Sequence, residues 1–104
     1  MYSIVYTTFK NRDEAEDFIA ISLEKRLIAC ANIFPINSMY RWDDKIVSDE
    51  EIAVFLKTRK SLVLSLIKTI EEHHPYDVPC ALELNIESGS PAYLNWIEEE
   101  TSQG

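Results

Sequence analysis

Apolar and polar positions alternate along this chain in two rhythms, and the changes from one to the other mark its elements. From Tyr2 to Phe9 apolar residues alternate with small polar ones, the two-residue period of a strand. The period then lengthens. Ala15, Phe18, Ile19, Ser22 and Leu23 recur at helical spacing, a core-facing stripe that runs to about Arg26. Asn11 stands ahead of it as a cap, with Glu14 three residues on in a capping-box arrangement. Strand rhythm returns between Ile28 and Arg59 in two long arms around a tight turn at Asp43-Asp44. The first arm, Ile28 to Trp42, is rich in strand-favouring side chains. The second, Lys45 to Thr58, places Ile46, Ile52, Val54 and Leu56 on one face. Ser61 to His74 reads as a second amphipathic helix, with Val63, Leu66, Ile67 and Ile70 inward. Pro75 stops it, because a residue before proline avoids helical geometry. Cys80, Leu82, Leu84 and Ile86 alternate with Ala81, Glu83 and Asn85, a half-buried strand. Ser90 and Pro91 open a last helix containing Tyr93, Leu94, Trp96 and Ile97. Glu98, Glu99 and Glu100 stand at its negative end, which predicts fraying there.

The order β-α-β-β-α-β with an added C-terminal helix predicts one ferredoxin-like α+β sandwich over residues 1–104, with a long central hairpin. Each arm of that hairpin extends about 45–50 Å at about 3.3 Å per residue. A compact domain of this size has a radius of gyration of only about 13 Å. The outer ends of the arms therefore need cover from outside the subunit, and the simplest cover is another copy of the chain.

Composition narrows the function. Hydrophobic residues make up 46% and glycine and proline together only six positions, which excludes a disordered chain. No apolar run approaches the roughly 20 residues of a membrane-spanning helix. Met1-Tyr2-Ser3-Ile4 lacks the basic region of a signal peptide, so a cytoplasmic protein is expected, with Cys30 and Cys80 reduced. Ten Lys/Arg against eighteen Asp/Glu give a formal net charge of −8, a field that repels phosphate backbones, so no nucleic-acid partner is expected. The only glycines are Gly89 and Gly104, too few for a phosphate-cradling loop. Cys30 with His73 or His74 lacks a nucleophile turn or an oxyanion hole, so no enzyme is expected.

Two groups of residues carry candidate chemistry. His73 and His74 supply imidazoles, which suit Cu(II), Zn and Ni, and Glu72 or Asp77 could add oxygen ligands. Neighbours on a helix diverge by about 100°, which opposes joint ligation. Alternatively the pair marks a helix end ahead of its proline stop. Tyr40, Trp42 and Tyr76 form either an aromatic wall of a ligand cleft, with Lys57 and Arg59 meeting an anion, or a cover for the far end of the hairpin against a neighbouring chain. Lys57 lies in an otherwise apolar strand and needs a partner, from Asp77, from a glutamate of another subunit or from a ligand.

Five ordered motifs then resemble the CutA divalent-cation-tolerance family. They are Ala29-Cys30-Ala31-Asn32, Tyr40-Arg41-Trp42-Asp43-Asp44-Lys45-Ile46, Leu56-Lys57-Thr58-Arg59, His73-His74-Pro75-Tyr76-Asp77-Val78-Pro79 and Tyr93-Leu94-Asn95-Trp96. The resemblance implies a ferredoxin-like subunit in a tight homotrimer similar to the PII signalling proteins, with the hairpin reaching across neighbours. It also implies a non-enzymatic role in tolerance to copper and other divalent metals. Copper ligands assigned in some members are two adjacent histidines, matched by His73 and His74, and a first-strand cysteine, which is Thr7 here. This chain also has Cys80 where many members carry glutamate, and Asp44 where a turn glycine is usual. Without the soft thiolate, binding of Cu(II) or another divalent metal is expected to be weak. Two rival readings accompany this one: a PII-like signalling module that takes a small anionic ligand in intersubunit clefts near Lys57, Tyr76 and Asp77, and a stable trimeric scaffold without ligand.

Overall fold

Asn11 turns the first strand into the first helix. Its backbone is extended, and its side-chain oxygen accepts from the Glu14 N–H at 2.9 Å. The return bond of the box is made between side chains, Asn11 Nδ2 donating to Glu14 Oε1 at 3.2 Å. A computed structural model of the chain describes residues 1–102. Its elements are β1 (Tyr2–Phe9), α1 (Arg12–Glu24), β2 (Cys30–Trp42), β3 (Lys45–Arg59), α2 (Val63–His73), β4 (Leu82–Ile86) and α3 (Pro91–Glu100). A single 3-10 turn, Lys60–Leu62, precedes α2, so the helical run begins where the sequence predicts but tighter. The strands lie in the order β2-β3-β1-β4, each antiparallel to its neighbour. This is the α+β ferredoxin-like sandwich predicted from the sequence, with the C-terminal helix added.

Strand alternation divides the sheet into two faces. Val5, Phe9, Val54 and Leu56 point toward α1 and α2, where they pack with Ala15, Phe18, Ile19, Val63, Leu66 and Ile70 as the core. Leu23, expected in the stripe, is 45% exposed because α1 ends one residue later. Arg26 follows in a left-handed conformation (φ 56°), with Leu27 N–H on the Ser22 carbonyl and Arg26 N–H on that of Leu23. This is a Schellman stop made without glycine. The opposite face carries Ile4, Tyr6, Phe34, Phe55, Leu82 and Leu84, which cross-strand pairing sets side by side. Leu82 is 58% exposed and Leu84 47%, so the half-buried strand predicted there is uncovered in the single chain.

The two-residue turn fixes the register of the hairpin. Asp43 and Asp44 both have positive φ (53° and 60°), the signature of a type I′ turn, so Trp42 pairs with Lys45 and the ladder runs unbroken to Cys30–Lys57. β1 accompanies β3 only as far as Ile52. Beyond that point β2 and β3 continue as a two-stranded ribbon, and the molecule is drawn out to 46 × 25 × 21 Å. Ile46 keeps its face but lies past the helices and is 63% exposed.

The C-terminal helix ends in order through Glu100, where fraying was expected. Arg59 Nη2 donates to the Thr101 carbonyl at 2.8 Å and pairs with Glu98 at 3.3 Å, and Arg26 Nη1 donates to the Glu100 carbonyl at 3.1 Å. Two arginines from elsewhere in the chain thus meet the carbonyls that the local sequence leaves unsatisfied. No helix among the described residues is long and apolar enough to cross a membrane.

Candidate functional site

Pro75 forces His74 out of the helix, and that gives the two histidines different fates. His74 takes an extended conformation (ψ 136°), caps α2 and swings its ring into the protein, where it is buried. There it stacks on Phe9, with centroids 4.5 Å apart and planes 13° apart. A carbonyl can only accept, so the 2.6 Å contact with the Thr8 carbonyl puts the proton on Nε2. Nδ1 accepts from the Tyr76 N–H at 3.1 Å. Both nitrogens are spent on backbone.

His73 remains on the helix and exposed. Its Nδ1 lies 3.0 Å from the Thr69 carbonyl and donates to it, leaving Nε2 with a lone pair to offer. Metal-binding histidines commonly donate their other ring N–H to a carbonyl in this way, which fixes the tautomer and the ring's orientation. Thr7, where the resemblance implies a cysteine, is fully buried on the helix-facing side of β1. Its hydroxyl is the one buried side-chain polar atom without a partner among the described residues. His73, His74 and Thr7 therefore do not form one donor set. Among the described residues no three His, Cys, Asp or Glu side chains converge to hold a metal. Glu72 and Asp77 are exposed beside the histidines without completing a chelate.

The aromatic residues gather elsewhere. Tyr40, Trp42, Tyr76 and Asp77 line one open cleft of about 760 Å³ between the hairpin and the loop after α2. Tyr76 Oη donates to Glu51 Oε2 at 2.9 Å, and Tyr40 Oη donates to Asp49 Oδ2. Burial and then the bond to Glu51 push the Tyr76 hydroxyl above the ordinary tyrosine range. The bond to Asp49 is the main cause raising Tyr40. Cys80, in the same wall, is raised by burial and then by Glu51. Glu51 and Asp49 were absent from the sequence-based candidates. The turn could have found them, since a two-residue loop at Asp43-Asp44 sets Glu51 opposite Ile36 and Asp49 opposite Ser38, on the Tyr40 face.

Lys57 is not in this cleft. Its Nζ lies 3.2 Å from Tyr93 Oη and 5.2 Å from the Tyr93 ring centroid, so within the chain α3 gives Lys57 a partner, where Asp77, a glutamate of another subunit or a ligand was expected. Arg59 is committed to Thr101 and Glu98. Cys30 and Cys80 are free, half-buried thiols.

A family model described as CutA1 divalent ion tolerance protein matches residues 3–100. The Divalent-cation tolerance protein CutA of Pyrococcus horikoshii is 42% identical over 100 residues, covering 96% of this chain and 98% of that protein. Protein CutA of Mus musculus is 38% identical over 100 residues, 95% of this chain but 56% of the mouse protein. A solved structure of the periplasmic divalent cation tolerance protein CutA from Archaeoglobus fulgidus superposes with a TM-score of 0.96 at 36% identity, covering 98% of this chain and all of that one.

Proposed function

From the premise that this chain belongs to the CutA1 divalent ion tolerance family, we propose that it works as a non-enzymatic homotrimer that meets divalent metal weakly, through the Nε2 of His73. The observation that carries this reading is the uncovered sheet face. Leu82 and Leu84 lie in water beside half-buried Ile4, Tyr6, Phe34 and Phe55, and the ribbon past Ile52 has no third strand. Burying one leucine is worth about 1.5–3 kcal/mol, so a face with two exposed leucines and four partly covered apolar residues favours association. Two-stranded ribbons are marginal alone, which supports the same assembly at the hairpin. A reducing compartment such as the cytoplasm suits the two free thiols.

The metal reading rests on one imidazole with solvent and nearby carboxylates, which suits copper and other borderline divalent ions at modest affinity. Thermal shift screening of the intact oligomer with Cu(II), Zn(II) and nucleotides tests it, because a ligand of the folded state raises the melting point. The expected result is a metal shift that disappears in His73→Ala. A nucleotide shift would favour an anion site of the PII kind instead. No shift with any of them would leave the scaffold reading.

A further inference from the structure

The C-terminal helix is the element that its own sequence supports least. Within the subunit Ile97 is its only buried side chain, where α1 and α2 each bury four. Ser90 stands at its N-cap position without a side-chain cap bond among the described residues. Glu98, Glu99 and Glu100 crowd the negative end of the dipole, and no basic residue of the helix offsets them. A helix of ten residues with so little burial does not persist by itself. It is ordered because other elements hold it.

The holding groups are polar and come from three places. Arg59, at the end of β3, donates through Nε to Thr101 Oγ1 at 2.9 Å and through Nη2 to the Thr101 carbonyl at 2.8 Å, and it pairs with Glu98. Lys57, two residues earlier on β3, donates to Tyr93 Oη. Tyr2 Oη, from β1, donates to Glu98 at 3.2 Å. Arg26 closes the far end by donating to the Glu100 carbonyl at 3.1 Å. That arginine sits in a left-handed backbone position (φ 56°) after α1, where a glycine would be free of strain. Its bond to α3 is what an arginine supplies there and a glycine could not. None of these bonds belongs to the core or to the sheet ladders, so breaking them leaves both intact.

We propose that α3 is a strap that opens as a unit of its own while the rest of the subunit stays folded, with Arg26 and Arg59 as its clasp. Elements that open locally are those with few buried apolar contacts. Opening bares the Tyr2, Lys57 and Arg59 end of the sheet face on which the helix lies, so the strap controls access to that end.

Native-state amide hydrogen exchange on the intact protein tests this, comparing residues 94–101 with residues 67–74 of α2 at one protein concentration. Protection at 94–101 is expected to be lower by about tenfold or more, and to change little in dilute urea, because a local opening exposes little surface. Arg59→Gln removes three donated bonds and should lower protection at 94–101 about tenfold further, leaving 67–74 within about twofold. Arg26→Gly separates the clasp from the backbone. It removes the bond to Glu100 and relieves the positive φ, so protection at 94–101 falls about threefold while the urea midpoint of global unfolding holds or rises. Equal protection of α3 and α2 in the wild type, which is also the result if neighbouring copies hold the helix shut, would overturn the proposal. So would a loss of protection shared alike by both helices in either variant.

Discussion

His73 and His74 are neighbours in sequence, yet the structure predicts that replacing them has opposite consequences. Truncating His74 to alanine removes two hydrogen bonds, one to the Thr8 carbonyl at 2.6 Å and one from the Tyr76 N–H at 3.1 Å. Each contributes about 1 kcal/mol net. The ring stacked on Phe9 and tilted against Tyr76 adds about 1 kcal/mol more. His74→Ala should therefore cost about 3 kcal/mol, with a further penalty for the cavity left in a buried site. That is a large share of the 5–15 kcal/mol that typically holds a domain together. His73→Ala removes an exposed ring and should leave stability within the scatter of surface substitutions. Urea unfolding at one fixed protein concentration measures the first effect, since stability of an oligomer depends on concentration. Calorimetry with Cu(II) measures the second: binding should vanish in His73→Ala and persist in His74→Ala wherever that variant remains folded. Equal loss of copper binding in both variants, with His74→Ala as stable as wild type, would refute this division of labour.

Three more outcomes follow from single sites. Thr7→Val should stabilise the protein by about 1 kcal/mol in urea unfolding, because it removes a buried hydroxyl with no partner at nearly constant volume; a loss would reveal a hydrogen bond at that hydroxyl. Asp44→Gly relieves a positive φ at the hairpin turn and should raise the unfolding midpoint by the equivalent of about 1 kcal/mol; a lower midpoint would mean that the carboxylate holds the turn. Glu83 is held below its ordinary value of 4.5, first by the bond from Lys60 and then by that from Ser3. A depressed folded-state value means its contribution is complete above pH 4.5 and is lost as pH falls through the lower folded value. Glu83→Gln should therefore flatten the stability profile below about pH 4.5, and an unchanged acid limb would contradict the pairing.

The element order was legible because each signal was local. The Asn11 cap, the Pro75 stop and the Asp43-Asp44 turn act within a few residues, and they set the start of α1, the His74 geometry and the hairpin register. What escaped was made by residues far apart in sequence. Tyr93 meets Lys57 across 36 positions, and Arg26 reaches the end of α3 across 74. Both distances are invisible to periodicity. The candidate site divided along the same line. Proline after His74 announced the helix end, but only the fold reveals that the ring turns inward to Phe9 while His73 stays out. Tyr40, Trp42, Tyr76 and Asp77 do share a cleft. Lys57 lies six residues beyond Glu51 on β3, outside that cleft, and meets Tyr93 of α3 instead.

Sedimentation equilibrium of the wild-type protein at micromolar concentration tests most directly whether the open sheet face and the bare ribbon are shared surfaces. One species with the mass of three chains, unchanged on tenfold dilution, is expected. A single-chain mass, with amide exchange still slow from Ile36 to Glu51, would contradict it.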